Sequence, residues 1–448
     1  MEMIKKGHLN FLMDGCAGSS GKGKMSSFIV KNEEVDYLVT SNSANASHTV
    51  VEDGKEFVFK VLPSASLHWK KIKRIFITSG SSFEVSALLK EIEMVGLPRE
   101  IIKISPRAGI ITRIDMDFES GLCDLDGNYY SVRGDGTIKT GTTASGSGSV
   151  LAKKTVRNKT LVVASMIPEI ADMISDVDLD IINLHASGNT GFFEIGQGYP
   201  LSNNHSTFAP YTTSRNVTVS SALNDAFLPP YLVGNVIINF RTYPIKIHSF
   251  KYIASEDYVY THNFLDSGMN TEQFEKYIRD THCPFHDIKK DGGVVTVNVK
   301  KGSQLSWFEK DDVKHDAIES YSGDFYHDQE EISWEMLNDR LENTPAEKIF
   351  ECTTLTKLPR RIAEFSLVNL YDAIIHNHGG HKTFVTMNFA NYVDKTLVDV
   401  KGEKDCVTDK FVAWSENNVQ IVIDELKEEF GFDIKYALIG TGDETDSM

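Results

Sequence analysis

One stretch near the start of the chain constrains the fold more than any other, Gly18-Ser19-Ser20-Gly21-Lys22-Gly23-Lys24. The apolar run at 9–13 before it predicts a buried strand, and residues 25–30 after it predict a helix. A strand, a glycine-rich turn and a helix in this order direct backbone N–H groups at a phosphate. The spacing is not that of an ordinary P-loop, because Cys16 stands at the position of the first glycine and Gly23 follows Lys22. The stretch alone is therefore compatible with a phosphate site and with a purely structural turn, and a second element is needed to decide between them.

Composition excludes several classes of function. The formal net charge of −17 argues against a general nucleic-acid binder, which would normally be basic. The five cysteines are scattered without a Cys-x-x-Cys pair, which is typical of a reduced protein without a cysteine metal site. No run approaches the ~20 apolar residues of a membrane span, and the start of the chain has no apolar signal region. We therefore expect a cytoplasmic protein with no nucleic-acid or membrane partner.

A second polar loop, Ser43-Ala44-Asn45-Ala46-Ser47-His48-Thr49, gives the first loop a context. Together the two loops resemble the adenylosuccinate synthetase family, in which they read G-D-E-G-K-G-K and G-x-N-A-G-H-T. Ser19 stands where the family has its catalytic aspartate, and Ser47 stands where it has glycine. The aspartate-to-serine change is similar to the phage branch of the family, which acts on dGMP in the pathway to 2-aminoadenine DNA.

The resemblance implies a role for each residue of these loops. His48 would be the general acid, and an imidazole suits proton transfer near neutral pH. Ser19 would lie beside the purine and the metal, and the Ser47 carbonyl would complete the Mg²⁺ shell. Asn45 would help to hold the deoxynucleoside monophosphate. The catalytic Lys22 would bind the phosphates of the triphosphate together with His48 and the remaining loop positions, Gly21, Gly23, Lys24 and Thr49.

Three further segments resemble the family's monophosphate site. Gly141-Thr142-Thr143-Ala144-Ser145-Gly146-Ser147-Gly148 is similar to its G-T-T-G-x-G loop, so Thr142 and Thr143 would hold the 5′-phosphate with N–H groups at a helix start. Arg157 would reach the neighbouring subunit's site, which implies a homodimer. In Gly188-Asn189-Thr190-Gly191, similar to G-A-Q-G, Thr190 would replace the glutamine that contacts the purine. Pro210-Tyr211-Thr212-Thr213-Ser214-Arg215 matches P-Y-V-T-S-R and places Thr213 at the site.

The remaining two substrates have candidate segments in the last third of the chain. The loop at 353–361 resembles the family's amino-acid loop, and its hydroxyls and arginines suit a dicarboxylate; its candidates are Thr353, Thr354, Thr356, Lys357, Arg360 and Arg361. In the segment 384–394, Asn391 takes the place of the aspartate that recognises guanine. An amide both donates and accepts, which fits adenine and predicts ATP or dATP rather than GTP. Other expected contacts to this donor are Asp394 and the terminal Gly440, Thr441 and Gly442.

The predicted fold is α/β, an adenylosuccinate synthetase-like fold with a large central, mostly parallel sheet and helical and loop subdomains. We expect a single domain over 1–448, with 249–320 as a surface insertion that has no counterpart in the family. The local patterns predict strands at 160–165 and 180–184 and a helix at 83–95 capped by Ser82. They also predict a late helix at 416–430, with its apolar positions inward, Val419, Ile423, Leu426 and Phe430.

The predicted function is that of a C–N bond-forming ligase. It would join L-aspartate to C6 of dGMP with ATP and Mg²⁺, through a 6-phosphoryl intermediate, and form (2S)-2-amino-2′-deoxyadenylosuccinate. Its place would be the cytoplasm, that of the host if a phage encodes it. One alternative is an ordinary adenylosuccinate synthetase that acts on IMP with GTP or ATP. The other is an inactive nucleotide-binding sensor, which the loss of a carboxylate at Ser19 would permit.

Overall fold

The computed structural model describes residues 2–130, 143–205, 208–247, 322–345, 347–352, 359–379, 381–398, 407–441 and 445. Between 250 and 320 it describes the backbone of short strands. The strands are β1 (Leu9–Asp14), β2 (Tyr37–Thr40), β3 (His48–Glu52), β4 (Lys55–Phe59), β5 (Arg74–Ile77), β6 (Ser82–Phe83), β7 (Ile102–Ile104), β8 (Gly109–Ile110), β9 (Gly191–Gly198), β10 (Val233–Arg241), β11 (Ile245–Lys246), β12 (Phe250–Ala254), β13 (Tyr258–Asn263), β14 (Asp287–Asp291), β15 (Val294–Val299), β16 (Gln304–Leu305), β17 (His315–Ser320), β18 (Glu331–Ile332), β19 (Arg361–Ala363), β20 (Thr383–Asn388) and β21 (Ile434–Ile439). The α-helices are α1 (Lys22–Asn32), α2 (Val85–Val95), α3 (Arg113–Glu119), α4 (Ser147–Thr155), α5 (Val177–Ala186), α6 (Val219–Ala226), α7 (Trp334–Arg340), α8 (Leu367–Ile375), α9 (Asp409–Ser415) and α10 (Ile421–Phe430).

An eight-stranded sheet organises the chain, in the order β21-β20-β10-β1-β9-β2-β5-β7. Every neighbouring pair in it is parallel. All residues of β1 are buried, as expected for an interior strand of a parallel sheet that is covered on both faces. The predicted α/β fold with a large, mostly parallel central sheet is confirmed.

The sheet separates two apolar cores, because successive side chains of a strand point to opposite faces. Phe11 and Met13 belong to one core, in which the Phe11 ring stacks on Phe193 with centroids 5.2 Å apart. Leu12 belongs to the other core together with Phe192. Burial of such a side chain contributes roughly 1.5–3 kcal/mol, so both faces hold β1 in the middle of the sheet.

The parallel arrangement determines where a site can form. Parallel strands all end at the same edge, so the loops after β1, β2, β9, β10, β20 and β21 meet there. Open α/β sheets bind ligands in the crevice outside these carboxyl ends. The glycine-rich loop after β1 and the loop of His48 after β2 are therefore brought to one edge of the sheet.

Two predicted strands are wrong. Residues 180–184 lie in α5, where Val177 and Ile181 are buried one turn apart and Asp178 stands in the first turn, which suits the helix dipole. Residues 160–165 form no strand; they pass β8 with a single bridge, Gly109 to Val163. Short apolar runs do not distinguish a strand from a helix by periodicity alone, which accounts for the error at 180–184.

Two predicted helices are present with different details. Ser82 lies in β6, and Glu84 is the N-cap of α2. The late helix is divided into α9, a π-helical turn at Glu416–Gln420 and α10. Phe430 is not inward: it is 43% exposed, since Gly431 ends α10 with a φ of 67° directly after it. The other three apolar positions predicted to face inward are buried, Val419, Ile423 and Leu426.

The strands between 250 and 320 pair only with one another in the part of the chain that the structure describes. They form two three-stranded sheets, β16-β12-β17 and β13-β15-β14, and all their pairings are antiparallel. The interpretation of 249–320 as a surface insertion in a single domain stays a prediction. A search of the described helices finds none long and apolar enough to cross a membrane.

Candidate active site

The glycine-rich loop leads directly into α1. Gly21, the N-cap of the helix, has a φ of 82°, a conformation that L side chains rarely adopt. The helix begins at Lys22, earlier than the predicted start at Met25. A Cβ atom on Gly23 would lie 2.6 Å from the Thr49 carbonyl oxygen, so glycine permits the first loop to contact the start of β3. The helix N-terminus therefore points at the sheet edge beside His48.

Lys22 is buried at the base of this loop. Its ammonium group donates to the Ile195 carbonyl oxygen and lies 3.5 Å from Asp14 Oδ2. Asp14 in turn accepts a hydrogen bond from the Ser20 hydroxyl. The side chain of Lys22 is thus held at the ends of β1 and β9, where it adds a positive charge to the helix N-terminus.

His48 faces a buried carboxylate that the sequence did not indicate. Its Nδ1 lies 2.6 Å from Glu194 Oε1, and Glu194 is fully buried within β9. Glu194 also accepts hydrogen bonds from the Ser26 hydroxyl at 2.5 Å and from the Ser64 N–H at 2.9 Å. Burial alone would raise the pKa of Glu194, but the hydrogen bond and charge of His48 and the charge of Lys22 lower it to about 2. The carboxylate is therefore ionised, and it orients the imidazole ring.

Three amide side chains, on the loop before His48 and at the end of β9, have unpaired oxygens. Asn45 donates to the Thr213 hydroxyl at 3.3 Å, which brings two predicted monophosphate contacts together. The side-chain oxygens of Asn42, Asn45 and Gln197 are buried, and none has a hydrogen-bond partner among the described residues. Gly196 lies against Asn42, since a Cβ there would be 2.8 Å from the Asn42 oxygen. Buried oxygens without partners are rare in native structures, and a ligand that donates hydrogen bonds would satisfy these.

Thr190 is not brought to this edge. It directly precedes β9 and accepts from the Gly7 N–H at 3.0 Å, so it lies where the strands begin. The length of β9, at ~3.3 Å per residue, separates it from the loop of His48, and the predicted purine contact of Thr190 does not fit this position. Gln197, by contrast, lies near the end of β9, at the same edge of the sheet as the loop of His48. The signal was in the sequence, because Gly196-Gln197-Gly198 follows an apolar strand and keeps a glutamine between two glycines.

The start of α4 already holds an anion from the chain itself. Glu119 accepts from the N–H groups of Gly146 at 2.8 Å and Gly148 at 2.6 Å. These N–H groups are therefore not free for a phosphate, in contrast to the prediction from the glycine-hydroxyl loop. Thr143 is exposed beside them, and its hydroxyl lies 2.6 Å from that of Ser145. Thr142 lies outside the described residues.

Arg157 follows α4 directly and is exposed, with a φ of 54°. This position at the surface is compatible with the predicted contact to a neighbouring subunit. No described element covers its side chain.

The two predicted contacts to the donor base lie side by side. Ala390 donates its N–H to the Gly440 carbonyl oxygen at 3.0 Å, which joins the turn after β20 to the end of β21. Asn391 lies in this turn, and its side-chain oxygen is buried without a partner among the described residues. Thr441 is buried next to Gly440, whereas Gly442 lies outside the described residues. Asp394 accepts from the Thr396 N–H at 3.0 Å, so it caps the following turn.

Only residues 359–361 of the predicted aspartate loop belong to the described part of the chain. Thr353, Thr354, Thr356 and Lys357 lie outside the described residues. Arg361 binds Glu331 with two hydrogen bonds of 2.8 and 2.6 Å, so its charge is already paired. Arg360 donates to the Cys352 carbonyl oxygen at 3.0 Å, and burial lowers the pKa of its guanidinium. Of the two arginines, Arg360 is the better candidate for a substrate carboxylate.

The residues present fit a magnesium ion that arrives with a nucleotide. The Ser19 side chain is exposed on the first loop, and half-buried Ser47 precedes His48. Both offer oxygen atoms, which Mg²⁺ prefers, and Mg²⁺ usually keeps several waters and phosphate oxygens with one or two protein ligands. Among the described residues there is no cluster of three or more acidic, histidine or cysteine side chains that would form a dedicated metal cage.

Part of the chain matches a known protein family. Residues 16–168 match the family model for adenylosuccinate synthetase. An adenylosuccinate synthetase of Archaeoglobus fulgidus is 27% identical over 237 residues, which are 53% of this chain and 65% of the relative. The chain thus spans about two thirds of that archaeal relative. The predicted resemblance to this family is confirmed.

Two phage relatives align over most of the chain. An N6-succino-2-amino-2′-deoxyadenylate synthase of Acinetobacter phage SH-Ab 15497 is 25% identical over 84% of this chain and 82% of its own length. That of Vibrio phage phiVC8 is 25% identical over 86% and 87%. The solved structure of cyanophage S-2L succinoaminodeoxyadenylate synthetase (PurZ), bound to dGMP and dATP, has a TM-score of 0.61 at 22% identity and covers 99% of this chain and 95% of that one. Fully ligated adenylosuccinate synthetase from Plasmodium falciparum has a TM-score of 0.60 at 14% identity, with 100% and 99% covered. The predicted resemblance to the phage branch is confirmed.

Proposed function

We propose that this protein joins L-aspartate to C6 of dGMP, with ATP or dATP as phosphate donor, and forms 2-amino-2′-deoxyadenylosuccinate. The observation that carries the proposal is the convergence at one sheet edge of the His48–Glu194 pair, buried Lys22 and the Asn45–Thr213 pair. Ser19 stands on the loop that lines this edge, where the family has aspartate. The phage synthases that align over most of the chain are named for a succinylated 2-amino-2′-deoxyadenylate, which supports the proposed product. The cyanophage PurZ structure was solved with dGMP bound, which supports dGMP as the nucleotide.

The first step activates a poor leaving group. The purine O6 attacks the γ-phosphorus of the triphosphate, the bond to the bridging oxygen breaks and the nucleoside diphosphate leaves. Lys22 and the N-terminus of α1 supply positive charge where the phosphates bind. Glu194 compensates the charge of a protonated His48, whose Nδ1 it holds, so that Nε2 remains to donate a proton to a phosphoryl oxygen.

The second step forms the C–N bond. The amine of L-aspartate attacks C6, the C6–O bond breaks, and inorganic phosphate leaves with the proton that the amine loses. Arg360 would bind one substrate carboxylate, because its guanidinium lies at the foot of the amino-acid loop. A serine hydroxyl is too weakly basic to take the N1 proton of the purine in the first step. We assign that proton to the incoming aspartate or to a water molecule.

Two polar side chains would select the substrates. Serine at position 19 leaves space for the 2-amino group of dGMP and can accept one of its hydrogens, whereas an aspartate would crowd it. Gln197 offers its unpaired side-chain oxygen to the purine from the end of β9. Asn391 likewise presents an unpaired oxygen in the turn after β20, which can accept from the 6-amino group of adenine.

Magnesium and a second subunit complete the proposal. Mg²⁺ would be held by the Ser47 carbonyl and the Ser19 hydroxyl, and when bound it neutralises charge on the phosphates. Arg157 would complete the monophosphate site of a neighbouring subunit. If so, Arg157→Ala should lose activity and regain part of it when it is mixed with an inactive His48→Ala variant. Mixed dimers contain one intact site, and a failure to regain activity would contradict the shared site.

A substrate panel tests the proposed function. Purified protein with Mg²⁺-ATP and L-aspartate is assayed for phosphate release with dGMP, GMP or IMP in turn. We expect release with dGMP, dependent on aspartate, and little with IMP. Release with IMP alone would identify an ordinary adenylosuccinate synthetase, and nucleotide binding without release from any of the three would identify a sensor.

A further inference from the structure

Arg241 connects three loops of the site from a fully buried position. It is the last residue of β10, and its Nη1 donates to the Ser19 carbonyl oxygen at 2.9 Å. Its Nη2 donates to Glu351 Oε1 at 2.5 Å. Its guanidinium lies 4.0 Å from the centroid of the Phe389 ring, at the start of the turn that carries Asn391. One cation thus contacts the glycine-rich loop, the donor-base turn and the chain that enters the amino-acid loop.

Glu351 lies at the base of that amino-acid loop. The Arg360 N–H donates to the Glu351 carbonyl oxygen at 3.0 Å, and Cys352 and Pro359 form an antiparallel bridge. These contacts hold residues 351–352 against residues 359–360. The Glu351 side chain also accepts from the Tyr392 hydroxyl at 2.7 Å, so it is tied to the donor-base turn as well.

The charges explain why the three loops depend on one another. A buried guanidinium is costly unless it is paired, and removal of one partner of such a pair leaves an uncompensated charge. The Arg241–Glu351 pair therefore fixes the foot of the amino-acid loop relative to the Ser19 carbonyl.

We propose that Arg241, acting through Glu351, is a positioning residue that sets Arg360 against the glycine-rich loop on which Ser19 stands. It is not a catalytic residue, because its contacts are to the protein itself. This inference rests on the proposed function, since it assigns 353–361 to L-aspartate.

Two variants and a matched control test it by steady-state kinetics. Glu351→Gln keeps the shape but removes the charge, and Tyr392→Phe removes one hydrogen bond and leaves the ion pair intact. We expect the KM for L-aspartate to rise about tenfold or more in the first and about threefold in the second, consistent with lost charged and neutral hydrogen bonds. The KM values for dGMP and ATP should change less than about twofold. The control is Glu364→Gln, which breaks the half-exposed pair with Arg340 and should change none of them.

A merely structural role would give a different result. If Glu351→Gln lowers kcat with an unchanged KM for L-aspartate, or behaves like Glu364→Gln, the proposal is overturned. A binding assay that does not require turnover separates the positioning role from the proposed function. It measures the shift in Tm on addition of L-aspartate, with dGMP and ATP present. A wild-type protein that releases no phosphate but shows this shift would refute the function, and loss of the shift in Glu351→Gln would still support the positioning role. If L-aspartate does not shift the wild-type Tm, both proposals fail.

Discussion

Replacing Glu194 with glutamine should disable the protein more than its conservative shape suggests. Glu194 accepts hydrogen bonds from the Ser26 and Ser64 hydroxyls and the Ser64 N–H, and it faces His48 Nδ1. The glutamine amide has only one oxygen that can accept hydrogen bonds. Its NH₂ group would lie against hydrogen-bond donors, with which it cannot pair. The variant also removes the negative charge that compensates a protonated His48. We expect a fall of about 10²–10⁴ in the rate of phosphate release, the range for loss of a general acid or of the carboxylate that orients it.

The stability of the same variant should depend on pH in a defined direction. The pKa of Glu194 is lowered from 4.5 to about 2, which corresponds to about 3 kcal/mol of folding free energy. A lowered carboxylate pKa stabilises the folded state above pH 4.5, and this stabilisation is lost as the pH falls from 4.5 to 2. Glu194→Gln should therefore destabilise the protein by about 3 kcal/mol at pH 7 and by progressively less toward pH 3.

Glu91→Gln is the matched control. Glu91 is also buried and accepts from the N–H groups of Lys60 and Leu62, but burial outweighs these bonds and raises its pKa to about 6. The contribution of Glu91 to the free energy of unfolding falls as the pH rises from 4.5 to 6. The destabilisation caused by Glu91→Gln should therefore decrease as the pH rises, whereas that caused by Glu194→Gln should increase. Urea denaturation at pH 3 to 7 and phosphate release at pH 7 measure both variants. Equal activity of Glu194→Gln and wild type, or a stability loss independent of pH, would refute the reasoning.

The other predictions concern substrate choice. Ser19→Asp should shift the ratio of kcat/KM values from dGMP toward IMP by about tenfold, and unchanged use of dGMP would show that position 19 does not select the base. Asn391→Asp should weaken the use of ATP and improve the use of GTP as phosphate donor by about tenfold to a hundredfold in competition assays. An unchanged preference would show that another residue recognises the donor base. Gln197→Ala should raise the KM for dGMP by about tenfold whereas Thr190→Ala leaves it unchanged, and the reverse order would restore the original assignment of Thr190.

Sequence patterns correctly predicted the elements that depend on local residue preferences. The apolar run of β1, the glycine turn and α1 follow from local preferences, and the parallel central sheet agrees with the family resemblance. The local patterns failed where the burial of side chains determines whether a segment is a strand or a helix. Residues 180–184 are as apolar as a strand, but their buried positions are one helical turn apart in α5.

The candidate site was predictable where polar residues are adjacent in sequence, and less so where partners come from distant strands. Asn45 and His48 stand in one loop, whereas Glu194 reaches His48 from β9. A carboxylate within an apolar strand carries no local sign that it will face a histidine. The occupation of the α4 N-terminus by Glu119 was equally hidden, because it depends on packing between α3 and α4.

The most direct test of the account follows one oxygen atom. dGMP labelled with ¹⁸O at C6 is incubated with the protein, Mg²⁺-ATP and L-aspartate, and the phosphate and nucleotide products are analysed by mass spectrometry. Activation of O6 by the triphosphate predicts that the label appears in the released phosphate and that the nucleotide gains the mass of aspartate minus one labelled water. Phosphate without label, or a nucleotide that retains the label, would contradict the proposed chemistry.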